Sequence, residues 1–153
     1  MIKLDVIDIK IINFLQKNAR MQIKDIAKEV FLSSPAVSSR IERLEKTGVI
    51  KGYHATIDMV KMNYYITAFI DVVIPPEKKE QFSVYVENVK NVVECNFVTG
   101  EFSMHLKTVF HTTQELDTFV MELQKFGPTR TQIVFSSNIE PRGVQFTEKN
   151  KNV

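Results

Sequence analysis

A chain of 153 residues with 44% apolar and 25% charged residues has the make-up of a folded protein, sized for one medium domain or two small ones. No apolar run approaches the roughly 18 residues of a membrane span, and the opening Met1-Ile2-Lys3-Leu4-Asp5 lacks the apolar centre of a signal peptide, so a cytoplasmic location is expected. The net charge of +2 is unevenly spread: residues 1–54 hold ten Lys and Arg against six Asp and Glu, and residues 55–153 hold ten against twelve, which makes the first third the candidate for nucleic acid.

From Asp5 to Asn18, Ile9, Ile12 and the neighbouring Ile11 and Leu15 recur at three- and four-residue intervals, with Asp5 and Asp8 at the end where the helix dipole favours acids. A first amphipathic helix is expected there. Gln22 to Val30 repeats the pattern with Ile23, Ile26, Ala27 and Val30, giving a helix too short to stand without neighbours. Ser33 then offers an N-cap oxygen, Pro35 falls in the first turn, and Val37, Ile41 and Leu44 mark one face of a third helix that runs to about Thr47 and ends at Gly48. Opposite that stripe the pattern places Ser34, Ser38, Ser39, Arg40 and Arg43, with Glu42, Glu45 and Lys46 to the sides. Small hydroxyls let a helix enter a groove closely, and guanidinium groups pair with guanine or phosphate. An isolated helix of this kind reads first as a solvated basic face; three short helices in succession favour a DNA reader. Val49 to Ile57 looks like two short strands around Gly52, forming a wing with Lys51 near the DNA backbone.

The second half changes period. Ile66, Ala68, Ile70, Val72 and Ile74 alternate with Thr67, Phe69, Asp71 and Val73, so the strand's second face is also largely apolar and both sides call for a covering surface. Pro75-Pro76 ends it. Phe82, Val86 and Val89 mark a helix within Glu77 to Asn88, then Val92 to Thr99 and Phe102 to Val109 read as a hairpin turning at Gly100-Glu101. Thr112 and Glu115 form a capping box ahead of Leu116, Phe119, Val120 and Leu123. Phe126-Gly127-Pro128 stops that helix, and Thr131 to Ser137 supplies a last strand. The order β-α-β-β-α-β is ferredoxin-like, so the expected fold is α+β: a winged helix-turn-helix at 1–54, a connection at 55–65, the ferredoxin-like domain at 66–140 and a frayed polar tail at 141–153.

Cys95, the one cysteine, sits between Val93 and Phe97 and reads as a buried structural thiol. His54, His105 and His111 read as polar surface or interface residues. No phosphate loop, paired-cysteine motif or His-Glu-x-x-His spacing occurs, and neither a catalytic set, a metal site nor a cofactor is expected. A small ferredoxin-like hydrolase is the enzymatic rival, which leaves the basic first third unexplained. A metabolite-binding module that uses its N-terminal helices for protein contacts is the other.

The residues in sequence resemble the leucine- and asparagine-responsive regulators, the Lrp/AsnC or feast/famine family. The likeness rests on Leu4-Asp5-x-x-Asp8 with Leu15 and Asn18-Ala19-Arg20, on Leu32-Ser33, on Arg40-Ile41-x-Arg43-Leu44-Glu45 with Gly48-x-Ile50-x-Gly52-Tyr53, and on Glu94-Cys95 leading to Val98-x-Gly100-Glu101-Phe102. The resemblance implies a transcriptional regulator that binds double-stranded DNA, dimerises through its C-terminal sheets, often assembles into octamers, and binds an effector amino acid between subunits. Carried over, the effector site comprises Gly100, Glu101, Phe102 and Ser103, with Thr131 and Ile133 from the last strand; Gly100 alone reads equally as a plain hairpin glycine. Ser103 stands where the family usually has Asp, removing a charge suited to an amino group, and the Gly127 to Thr131 connection is about two residues short. Phe31 stands where the helix-turn-helix commonly has Gly; Phe tolerates positive φ poorly, which points to another turn geometry or to a ring packed under the reader.

Overall fold

The computed structural model describes residues 2–147 and divides into two compact units. One comprises the residues up to Thr56 together with those from Ile139 onward; the other runs from Ile57 to Asn138.

In the first unit, α1 (Val6–Lys17), α2 (Ile23–Val30) and α3 (Ser34–Lys46) lie close to the spans expected from periodicity. Their apolar stripes converge: Ile11, Ile26, Val37 and Leu44 are fully buried, and Ile12, Leu15, Ala27 and Val30 complete the core. Each short helix is marginal alone and is held by this shared burial. Ser33 caps α3 by accepting from the Ala36 N–H at 3.4 Å. Asp5 caps α1 in a reciprocal box with Asp8.

Two expectations for this unit are corrected. Residues 49–57 contain no strand on either side of Gly52. The chain after Gly48 is held instead by the Val49 and Ile50 N–H groups, both on the Leu44 carbonyl, and by the Tyr53 hydroxyl donating to Glu45 at 2.8 Å. Burial, then that bond, pushes the Tyr53 phenol up to about 12. The frayed tail is the second. Asn13 donates to the Phe146 carbonyl at 2.8 Å and accepts from its N–H at 3.0 Å, and Gln16 donates to the Val144 carbonyl at 3.1 Å. Phe146 lines a cleft with Ile12, Leu15, Val49, Ile50 and Tyr53. A polar stretch without periodicity still docks, because its backbone is what the side chains of α1 recognise. Residues 148–153 of the expected tail lie outside the described residues.

The second unit is a four-stranded antiparallel sheet in the order β2-β3-β1-β4, made of β1 (Ile66–Val72), β2 (Val92–Phe97), β3 (Met104–Phe110) and β4 (Thr129–Ile133). Helices α4 (Lys79–Glu87) and α5 (Thr113–Gln124) complete the β-α-β-β-α-β order. Ala68, Ile70, Val72, Met104, Leu106 and Phe110 of the sheet pack with Phe82 and Val86 of α4 and Leu116, Phe119 and Leu123 of α5. Thr112 caps α5, but the Glu115 carboxylate returns to the His111 N–H at 3.0 Å, one residue before the cap.

Here the strand ends differ from expectation. β2 stops at Phe97 and β3 starts at Met104, so the connection spans residues 98–103, closed by the Val98 N–H on the Ser103 carbonyl at 2.9 Å. Gly100 sits in it at φ +120°, a conformation that side chains rarely adopt. β4 begins at Thr129 and ends at Ile133, and beyond that end the Val134 N–H continues its pairing, onto the Thr67 carbonyl. Cys95, expected to be buried, is exposed, since β2 is an edge strand. The protein around it still desolvates the thiol enough to raise its pKa.

Candidate functional site

The exposed side of α3 is narrower than the sequence pattern implied. With Val37 and Leu44 buried and Ile41 packed beside them, the helical wheel centres the solvent face on Pro35, Ser39, Glu42, Arg43 and Lys46. Ser34 and Ser39 are exposed; Ser38 and Arg40 flank the buried stripe and are half-buried. Lys46, expected at the side, lies near the centre of the exposed arc and faces Glu42 at 3.8 Å. Lys51 is exposed on the segment that follows.

Arg40 and Arg43 are engaged within the fold. Asp8 is fully buried and accepts from Arg40 at 2.8 Å and from Arg43 at 2.5 Å, while Arg40 also donates to Asp5 at 2.6 Å. Burial raises the Asp5 pKa, but the bonds from the Asp8 N–H and from Arg40 outweigh it and hold the carboxyl below its ordinary value. The same bond to Asp5, ahead of the opposing desolvation, raises the Arg40 pKa. These ion pairs fasten α3 to the start of α1. The acids at positions 5 and 8 that looked like helix-dipole partners are also anchors for the reader. Half of the Arg43 side chain remains exposed, against 27% for Arg40, so Arg43 alone of the two keeps a substantial open face.

In the second unit, the loop residues Gly100 and Glu101 are exposed and Phe102 and Ser103 half-buried. The Ser103 hydroxyl is occupied: it accepts from the Ile74 N–H at 2.8 Å and lies 3.3 Å from the Val72 carbonyl. It ties the loop to the end of β1, where a carboxylate could not donate to that carbonyl. Thr131 and Ile133 pair with Ile70 and Ala68 on β4, on the far side of β1 from β3. Within one protomer β4 meets the loop through Arg130, which lies over the Phe102 ring, while Thr131 and Ile133 alternate to the other face of the strand from it.

What the structure does gather is a cluster that the sequence did not single out. Asp71, the one acid in β1, is buried on the face away from the helices. Its carboxylate meets His105 Nδ1 at 2.6 Å and accepts from Arg130 Nε at 3.0 Å and Nη2 at 2.8 Å. Arg130 also lies over the Phe102 ring at 4.5 Å, and His105 stacks on Phe69. The second face of β1, expected to be largely apolar, thus carries a satisfied charge network beside the loop. A lone Asp inside an apolar strand was the available signal, because such a group is stable only when paired. The other histidines lie elsewhere: His111 meets the Asn63 carbonyl at 2.8 Å with its ring tilted against Tyr64, and His54 is exposed.

Burial raises the Asp71 pKa, but hydrogen bonds from His105 and Arg130 outweigh it and lower the value below 3.8. A carboxylate with a depressed folded pKa contributes stability that is complete above its unfolded pKa and is lost as pH falls through the folded one. Acid titration of the second unit should therefore show stability falling below about pH 4, with a shallower fall in Asp71→Asn; equal slopes would assign the acid sensitivity elsewhere.

Comparison with known proteins agrees with this architecture in both units. A family described as winged helix-turn-helix DNA-binding matches residues 4–51, and one described as the Lrp/AsnC ligand binding domain matches residues 67–144. The chain belongs to the Lrp/AsnC family of transcriptional regulators. The leucine-responsive regulatory protein of Haemophilus influenzae is 33% identical over 138 residues, covering 86% of this chain and 83% of that one. Among solved structures, LrpC of Bacillus subtilis superposes with a TM-score of 0.86 at 26% identity, over 92% of this chain and 100% of its own. The feast or famine regulatory protein of Mycobacterium tuberculosis, solved with L-methionine, gives 0.86 at 26% identity over 93% and 99%. No described helix is long and apolar enough to cross a membrane. As an Lrp/AsnC regulator, the chain has its DNA reader in the unit of α1 to α3 and its family ligand-binding fold in the sheet unit.

Proposed function

We propose that this Lrp/AsnC regulator binds duplex DNA with α3 in the major groove. Ser34, Ser38 and Ser39 give close approach, Arg43 and Lys46 supply charge from the open arc, and Lys51 contacts the phosphate backbone. Arg40 acts one step removed, by fixing α3 on α1. The observation that carries this reading is the placement of α3: its apolar stripe packs on the core, leaving Ser39, Arg43 and Lys46 facing solvent, with Glu42 beside Lys46.

In this reading the second unit senses an amino acid, as the L-methionine complex of the mycobacterial relative supports, and the loop of Gly100, Glu101, Phe102 and Ser103 is the proposed place of binding. Because Ser103 is spent on β1, the backbone groups of Gly100 to Phe102 and the guanidinium N–H groups of Arg130 that Asp71 does not engage are available to meet a carboxylate. In the same reading Thr131 and Ile133 are contributed by another subunit of a homodimer or larger assembly working in the cytoplasm. The chain acts as a regulator and not as an enzyme, its two units having the reader and ligand-binding folds of that class.

The test is fluorescence anisotropy of a mixed-sequence duplex over a salt series, repeated with each of the twenty amino acids. Affinity should fall steeply with salt, and Lys51→Ala should reduce the slope of log K against log salt by about one. One amino acid should shift the curve. Absence of binding at every salt concentration would favour a metabolite-binding module that contacts protein instead.

A further inference from the structure

Helix α2 ends by reversal at Phe31, which takes φ 57° and ψ 42°, the left-handed region. The reversal is required: the Leu32 N–H returns to the Ala27 carbonyl at 3.0 Å, and Leu32 then packs against the core of the unit. Glycine makes such a turn at no steric cost, whereas a residue with a Cβ loses about 1–2 kcal/mol there. The aromatic ring recovers none of this from the fold, since Phe31 is 91% exposed and does not pack under the reader. Strain of this kind persists where the side chain serves something outside the folded chain.

The position says what that is. Phe31 lies three residues before Ser34, the first residue of α3, and in helix-turn-helix docking the N-terminal end of the recognition helix enters the major groove. The turn then stands at the groove wall, where thymine methyl groups and deoxyribose carbons are the apolar surfaces on offer. We propose that Phe31 is a DNA-contacting residue, laying its ring on apolar carbon of the duplex beside the entry point of α3. This rests on the DNA-binding reading above and adds to it a non-ionic contact that the usual glycine could not make.

The experiment compares the full chain with Phe31→Gly and Phe31→Asn, both suited to the left-handed turn, by anisotropy on a mixed-sequence duplex over a salt series. Both variants should bind about tenfold more weakly, equivalent to about 1.4 kcal/mol, with the salt slope unchanged because the ring releases no counterion. Both should also melt higher, by roughly 3 °C, as the strain is relieved. Repeating the series with deoxyuridine in place of thymidine identifies the carbon: loss of the wild-type advantage assigns the methyl, and its retention the sugar. Wild-type affinity in either variant overturns the contact while leaving the DNA reading intact. Weaker binding accompanied by a changed assembly state in light scattering also overturns it, in favour of a second copy of the chain. Wild-type protein that binds no duplex at any salt overturns the DNA reading itself.

Discussion

Replacing Arg40 and Arg43 together by alanine is expected to destabilise the N-terminal unit by about 3 kcal/mol, the low end for stranding a buried charge, since Arg43 is half exposed. Asp8 has no solvent contact, and apart from the Asp5 N–H at 3.0 Å its oxygens are met by these two guanidinium groups. Left behind, the carboxylate must stay charged in the core or take up a proton, and either course costs folding free energy. Denaturant titration of the full chain should show an early transition at a lower midpoint. Converting Asp8 to leucine alongside Arg40→Met and Arg43→Leu should recover most of the loss, because a buried ion network is replaceable by apolar groups of similar volume. An unchanged midpoint in the double alanine variant would show that the pairing bears no weight in the fold. Loss of DNA binding in that variant would accordingly report an unfastened reader before it reported a lost base contact.

Gly127→Ala is expected to have an effect of similar size in the second unit. A Cβ built at this glycine would fall 1.9 Å from the Val73 carbonyl oxygen and 3.1 Å from its carbon. Both are backbone atoms, so no rotamer change relieves the overlap. The approach is fixed by the neighbouring bond, in which the Val73 N–H donates to the Pro128 carbonyl at 2.9 Å. Admitting a methyl group means parting the end of β1 from the chain that enters β4, at a cost of roughly 2–3 kcal/mol. Thermal unfolding should show the sheet unit melting several degrees lower, with α1 to α3 unaffected. An unaltered melting point would mean that the connection shifts freely.

Glycine at 127 was legible in the sequence only as a helix stop before Pro128; its second role depends on how closely two distant segments approach. The same distinction runs through the molecule. Helices α1 to α5 are readable because Ile9 to Leu15, Val37 to Leu44 and Leu116 to Leu123 repeat at the helical period, and burial follows that period. Arginine 40 carries no sign of its commitments, since the acids that claim it are 35 and 32 residues away and its own turn of helix looks basic. Val49 to Ile57 looks like two short strands around Gly52, but such a run becomes a strand only where a hydrogen-bonding partner exists. Around the candidate effector loop, the sequence singled out Gly100 to Ser103 as an expectation, whereas Asp71, His105 and Arg130 belong together only through the register of three strands. Ser103, read as a missing charge, is a present hydrogen bond to the end of β1.

The docking of Val144 and Phe146 on Asn13 and Gln16 has a consequence for how the protein is made. Asn13 and Phe146 are 133 positions apart, so on the ribosome the first helix is extruded long before the segment that completes its surroundings. The sheet unit, with all its residues between Ile57 and Asn138, can assemble in the interval without waiting for either terminus. The reader is thus begun first and finished last, and a nascent chain stalled after α3 but short of residue 144 carries three helices whose cleft beside Ile12 and Leu15 has yet to receive its closing segment of backbone.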